Sequence, residues 1–240
     1  MARRPRNAPG GLAYHVLNRS VGKMEMFRRD ADFEAFQRIM REAIERHPIR
    51  IICYCVMPTH WHFVVWPEED GQVTRFFRWL AHTHAMRWRV SHHTVGYGHL
   101  YQGRFKSFPV ARDEHLLTLC RYVERNPLSA NLVKRAEDWR WSSLWLRSQN
   151  ADTSAGASAG QKAILSDWPL DRPKDWIERV NRAVTAKELE AIETSLKRGR
   201  PLGSGDWAQK IAARLDLEHT IRREGRPKKM DSSKNAADKN

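Results

Sequence analysis

From residue 12 to residue 127 the apolar positions switch between a period of two and a period of three to four, and each switch marks an element. Leu12–Arg19 alternates as a strand. Asp30 is placed to cap a helix reaching about Arg46, with Phe33, Phe36, Ile39, Met40, Ala43 and Ile44 at helical spacing, and Pro48 ends it. Ile49–Met57 and His60–Trp66 read as strands joined through Pro58-Thr59, hence a hairpin. Gln72–Val90 returns to helical spacing through Phe76, Phe77, Leu80, His84 and Trp88. A glycine-containing loop then leads to a strand at Phe105–Ala111, and Asp113 caps a helix running to Arg125. That helix is expected to stop before Asn126-Pro127, because a residue preceding proline disfavours the α region. The order β-α-β-β-α-β-α predicts an α+β fold, an antiparallel ferredoxin-like sheet flanked by helices. Fold class alone leaves function open.

Beyond residue 147 the pattern changes. Residues 148–160 are small and polar and read as a flexible linker. Residues 161–221 read as a helical C-terminal extension, with an amphipathic stretch at 173–198, and residues 222–240 as a basic, disordered tail. The chain therefore divides into a domain at 10–147, a linker, an extension and a tail, with no internal repeat.

Composition narrows the partner. Forty-two Lys and Arg against 28 Asp and Glu leave a net charge of +14, which favours a polyanion and points to nucleic acid. A hydrophobic share of 41% with ten tryptophans excludes a disordered chain. No apolar run reaches the roughly 18 residues of a membrane span, and no signal peptide is visible, so no membrane partner is expected. Cys53, Cys55 and Cys120 make no disulfide framework and fit a reducing cytoplasm.

Three groups of residues could carry chemistry. His60 and His62 flank Trp61 on a strand, so both imidazoles leave one face, a start for a divalent-metal site or a pair of half-buried histidines. Cys53 and Cys55 could join them in a structural zinc site, but the spacing is tight and one flat hairpin surrounds a tetrahedral ion poorly. On the last helix, Tyr122 and Asn126 share a face with Arg121 and Arg125 beside them, either a nucleophile near cations or a plain tyrosine. The stretch Tyr101-Gln102-Gly103-Arg104-Phe105-Lys106-Ser107 alternates aromatic and basic residues, as single-strand binders do, or is an amphipathic edge strand.

Taken in order, these motifs resemble the single-tyrosine HUH transposases, in particular the REP-associated tyrosine transposases. The matching stretches are Tyr14-His15-Val16, Met57-Pro58-Thr59-His60-Trp61-His62, Tyr101-Gln102-Gly103-Arg104-Phe105, Arg121-Tyr122-Val123-Glu124-Arg125-Asn126-Pro127 and Trp141-Ser142-Ser143. Arg200-Pro201-Leu202-Gly203 and Arg226-Pro227-Lys228-Lys229 are similar to the branch's C-terminal extension. The resemblance implies an HUH sheet, His60 and His62 as metal ligands and Tyr122 as nucleophile. It places Asn126 where related enzymes carry a longer glutamine that completes the metal shell. It also implies Mg²⁺ or Mn²⁺ as cofactor and single-stranded DNA beside a palindromic hairpin as substrate, cleaved through a 5′-phosphotyrosine. Arg104, Lys106, Arg121 and Arg125 are the expected phosphate contacts. A non-catalytic binder of structured DNA or RNA on the same fold is the alternative. Monomer and homodimer both remain open, as does use of Tyr122 on its own or a partner's metal.

Overall fold

In the computed structural model, which describes residues 7–152 and 164–222, one antiparallel sheet organises the chain. Its strands are β1 Ala13–Arg19, β2 Arg50–Met57, β3 His60–Trp66 and β4 Lys106–Val110, in the order β2-β3-β1-β4. Helices α1 Asp30–Arg46 and α2 Gln72–Ser91 connect them as a ferredoxin-like fold requires.

Strand alternation sorts the core into two layers. Tyr14, Val16, Tyr54, Val56, Trp61, Phe63 and Val65 pack with Phe33, Phe36, Phe76 and Phe77 of α1 and α2. Cys53, Cys55, Val64, Phe108 and Val110 face the other way, against Leu116, Leu119, Cys120 and Val123 of α3 Glu114–Ser129. The sheet is thus covered on both faces. His60 and His62 belong to the strand face that carries α3.

The hairpin turn is as read: Met57 pairs with His60 around Pro58-Thr59. Its carbonyls are held from outside, Pro58 accepting from the amides of Met26 and Phe27 and Thr59 from that of Ser20.

Two helix ends differ from expectation. Asp30 does not cap α1; Asp32 reaches back instead and its Oδ2 accepts from the amides of Arg28 and Arg29. Helix α3 does not stop at Arg125 but runs through Asn126-Pro127 to Ser129. Proline there removes one amide in the last turn only, a much smaller loss than in a helix interior. The Pro127 ring is buried, the Ala130 amide donates to the Asn126 carbonyl, and that of Leu132 donates to Pro127.

The C-terminal part wraps the domain. Helix α4 spans Ser143–Asp152, so the first residues of the expected linker are helical, while 153–163 lie outside the described residues. The amphipathic stretch is two helices, α5 Trp176–Asn181 and α6 Ala186–Arg198. They are separated because Thr185 caps α6: its Oγ1 accepts from the Glu188 amide and Glu188 Oε2 accepts from the Thr185 amide. Helices α7 Gly205–Arg214 and α8 Glu218–Ile221 follow, and the tail from 223 lies outside the described residues.

Both sheet edges are covered by this later chain, which removes the hazard of open strands. Along β2, the Val56 amide donates to Trp141 and Ser143 Oγ accepts from the Tyr54 amide. Along β4, Leu202 donates to the Pro109 carbonyl and accepts from Ala111. Gly203 makes that second approach possible, since a Cβ there would lie 2.3 Å from the Trp207 ring.

Candidate active site

The metal-ligand candidates and the candidate nucleophile meet on the α3 face of the sheet. His60 and His62 are neighbours with ring centroids 4.9 Å apart, because two residues along a strand return to the same side. Tyr122, two turns into α3, stands edge-on to His62 with ring centroids 6.0 Å apart. Asn126, one turn further, lies close enough to His60 and to the Tyr122 phenol for its side chain to act on the titration of both. Its Nδ2 also donates to the Tyr122 carbonyl at 2.9 Å, which leaves Oδ1 as its acceptor atom. The amide that is one methylene shorter than glutamine is therefore still near enough to act on His60.

Burial sets the protonation. His60 is pulled down to about 4 by desolvation, with the Asn126 bond opposing and the charge of Arg19 assisting. His62, 3% exposed, lies well below the usual histidine range for the same reason, reinforced by His60 and His15. Both rings are neutral near pH 7 and offer lone pairs. The Tyr122 phenol is raised by burial and by the Glu193 carboxylate of α6, while Asn126 lowers it. Tyr122 is thus a neutral phenol in the resting protein. Two neutral imidazoles and an amide oxygen fit a divalent ion, with remaining positions for water and phosphate oxygens. Among the described residues no group of three His, Cys, Asp or Glu forms a metal cluster.

The thiols take no part. Cys55 does sit opposite His62 across the hairpin, but Cys53 and Cys55 are buried among apolar side chains and raised by desolvation, so they are thiols rather than thiolates. Structural zinc is not supported.

The expected phosphate contacts divide. Arg104, just before β4, and Lys106, its first residue, are exposed. Arg121 and Arg125 are already engaged: Arg121 pairs with Glu188 of α6 at 2.6 Å, and Arg125 donates to the Val180 and Asn181 carbonyls at the end of α5. The stacking aromatics are corrected more firmly. Tyr101 and Phe105 are buried, and the Tyr101 hydroxyl accepts from Trp61 Nε1 at 2.9 Å and bonds His84 Nδ1 at 2.6 Å. They are core residues and present no face to a base.

Three contributors escaped the sequence reading. Arg19 lies near enough to His60 to act on it electrostatically, and its Nε donates to Gln102. His15 on β1 approaches His62 at 2.9 Å. Glu124, fully buried, ties α3 to Ser143 of α4 at 2.5 Å and to Trp176 Nε1 of α5 at 2.7 Å. Only strand register and helix packing bring these together, and neither is visible in residue spacing.

The family model of IS200-like transposases matches residues 10–126, the segment that carries the sheet, both histidines, Tyr122 and Asn126. These residues belong to the IS200-like transposase family. The transposase domain accordingly has a DNA-directed, transposase-type function. Among solved structures, a REP-associated tyrosine transposase bound to a REP hairpin aligns with TM-score 0.47 and 15% identity, covering 78% of this chain and 99% of that one. A candidate transposase from Deinococcus radiodurans R1 aligns with TM-score 0.36 and 16% identity, covering 51% and 96%. No curated protein matches the chain.

Proposed function

We propose that the protein is a metal-dependent single-stranded DNA endonuclease and strand transferase that cleaves beside palindromic, REP-type hairpins through a 5′-phosphotyrosine. The observation that carries this reading is Tyr122 standing edge-on to His62, with Asn126 bonded to the Tyr122 carbonyl and near enough to His60 to act on its titration. The hairpin substrate rests on the motif resemblance.

Tyr122 Oη attacks the scissile phosphorus; the Oη–P bond forms, the P–O3′ bond breaks, and the phenol proton ends on the released 3′ oxygen. One phosphoester replaces another, so rejoining needs no ATP. Because burial keeps Tyr122 protonated, proton loss accompanies attack rather than preceding it. A divalent ion, Mg²⁺ or Mn²⁺, held by His60, His62 and Asn126, would supply Lewis-acid polarisation of the phosphate. Arg19, Arg104 and Lys106 are the proposed phosphate contacts. Arg121 and Arg125 join them only by giving up Glu188 and the α5 carbonyls. Tyr122 sits beside the histidines of its own chain, which favours use in cis.

The test is a denaturing protein gel after incubation with labelled single-stranded DNA carrying palindromic hairpins and Mn²⁺ or Mg²⁺. Wild type should give a DNA-shifted band, and Tyr122→Phe should bind the same DNA without forming it. Binding with neither adduct nor cleavage, across several hairpins, would transfer the assignment to a non-catalytic binder. Normal nicking by Tyr122→Phe would remove the tyrosine from the mechanism.

A further inference from the structure

His15 is wholly buried on β1, in a layer of apolar side chains. Its ring lies 4.9 Å from that of Phe108 and 5.1 Å from that of His62. A leucine or phenylalanine would bring no polar atom to this position, whereas an imidazole brings two polar nitrogens into the core. One of them, Nε2, meets His62 Nδ1 at 2.9 Å. The other, Nδ1, has no hydrogen-bond partner among the described residues. Buried polar atoms are nearly always paired, so a half-satisfied histidine here calls for a reason.

Histidine chemistry supplies one. A neutral imidazole carries its proton on one nitrogen and a lone pair on the other. Metal-binding histidines generally donate the spare N–H to a neighbour, which settles both tautomer and ring orientation. With Nδ1 of His62 facing His15, Nε2 is the nitrogen left for an ion. For Nε2 to offer a lone pair, Nδ1 must hold the proton and donate it, so His15 Nε2 must accept. The His15 proton then resides on Nδ1, the atom that finds no partner. His15 Nδ1 is unpaired in either tautomer, so it is the need for a lone pair on His62 Nε2 that selects this one.

We propose that His15 is a positioning residue, which accepts the Nδ1–H of His62 and so fixes His62 in the tautomer and orientation that present Nε2 to a divalent ion. The inference rests on the metal-site reading above, but its central claim concerns the tautomer and can be tested without metal or DNA. The strand pairing makes the arrangement rigid: Leu17 pairs with His62 and His15 with Val64, so the two rings approach diagonally across a hydrogen-bonded ladder.

The experiment uses the full chain labelled with ¹⁵N-histidine. Long-range ¹H–¹⁵N spectra of the metal-free protein should show His62 as the Nδ1–H tautomer in wild type. In His15→Phe that tautomer should be lost. His15→Gln, whose side-chain oxygen restores an acceptor, should recover it. Mn²⁺ titration followed by electron paramagnetic resonance should then show affinity weakened about 10–100-fold in His15→Phe and largely regained in His15→Gln. Should His15→Phe fail to fold, wild type and His15→Gln still decide the tautomer. A wild-type His62 protonated on Nε2, or unchanged tautomer and Mn²⁺ affinity in folded His15→Phe, overturns the proposal. Wild type that binds no Mn²⁺ while His62 keeps the Nδ1–H form would sink the metal reading and leave His15 as the group that orients His62.

Discussion

At the scale of single residues, the site depends on neutral histidines. His15 and His84 are pulled down to about 3 and His60 to about 4, each chiefly by burial. Their folded values lie below the unfolded value of about 6.5, so between the two the unfolded chain binds more protons. Stability should therefore fall as pH is lowered from about 6.5 toward 3, by about 1.4 kcal/mol per pH unit for each proton taken up. Urea unfolding across that range would measure the slope. His84→Gln, outside the candidate site, should make it shallower, and an unchanged slope would exclude His84 from the effect. Glu124 works in the opposite sense. Burial raises its folded value above the unfolded one, against the bonds from Ser143 and Trp176, so the folded state holds the extra proton. Stability from this group declines as pH climbs from the unfolded carboxylate range through the raised value. Glu124→Gln should gain on wild type over that rise, while Glu124→Ala should lose about 1–3 kcal/mol for each partner left unpaired. Thermal unfolding at two pH values separates the outcomes. The sequence marked His60, His62, Tyr122 and Asn126 because i, i+2 on a strand and i, i+4 on a helix are local geometry. It could not mark Glu124, since nothing within one helix says that an acidic residue will face Trp176 from a segment 52 residues away.

At the scale of elements, α3 carries half of the candidate site. It presents Tyr122 and Asn126 to the sheet and, on its flank, Arg121 to α6. Glu188 serves two ends there, closing the α6 capping box and pairing with Arg121. Glu188→Ala should destabilise α6 by about 0.5–1.5 kcal/mol, because the bond from the Thr185 amide is lost while Thr185 Oγ1 still caps the Glu188 amide. It should also free Arg121. Should Arg121 touch phosphate, single-stranded DNA binding by Glu188→Ala will strengthen at low salt, and Arg121→Ala will cancel the gain. Equal binding by wild type and Glu188→Ala would confine Arg121 to a structural role. Element positions were legible from periodicity, whereas their ends were not. The stop expected before Pro127 failed because a proline in the last turn forfeits a single bond that neighbouring amides and burial offset. The amphipathic stretch at 173–198 forms two helices because a capping box at Thr185 starts a new one.

At the scale of the molecule, a strongly basic chain wraps a two-faced sheet, and no helix among the described residues is long and apolar enough to cross a membrane. The buried Thr220 ties α8 to the fold, so a clean truncation falls at 223 rather than earlier. If the tail neutralises phosphates, the salt slope of single-stranded DNA binding should drop by about 0.7 for each phosphate the truncated protein no longer neutralises. An identical slope would show that the tail neutralises none.

Periodicity and turn chemistry were enough to define the βαββαβα order and the sheet class, and they placed His60 with His62, and Tyr122 with Asn126, on shared faces. These follow from steric rules acting within a few residues. What the tertiary structure decided is which groups are free to act. It buried Tyr101 and Phe105 in the core, committed Arg121 and Arg125 to the C-terminal helices, kept Cys53 and Cys55 as neutral thiols and set His15 against His62. Each depends on approaches between residues tens of positions apart. Such approaches form only when hydrophobic burial closes the sheet between its two helical layers.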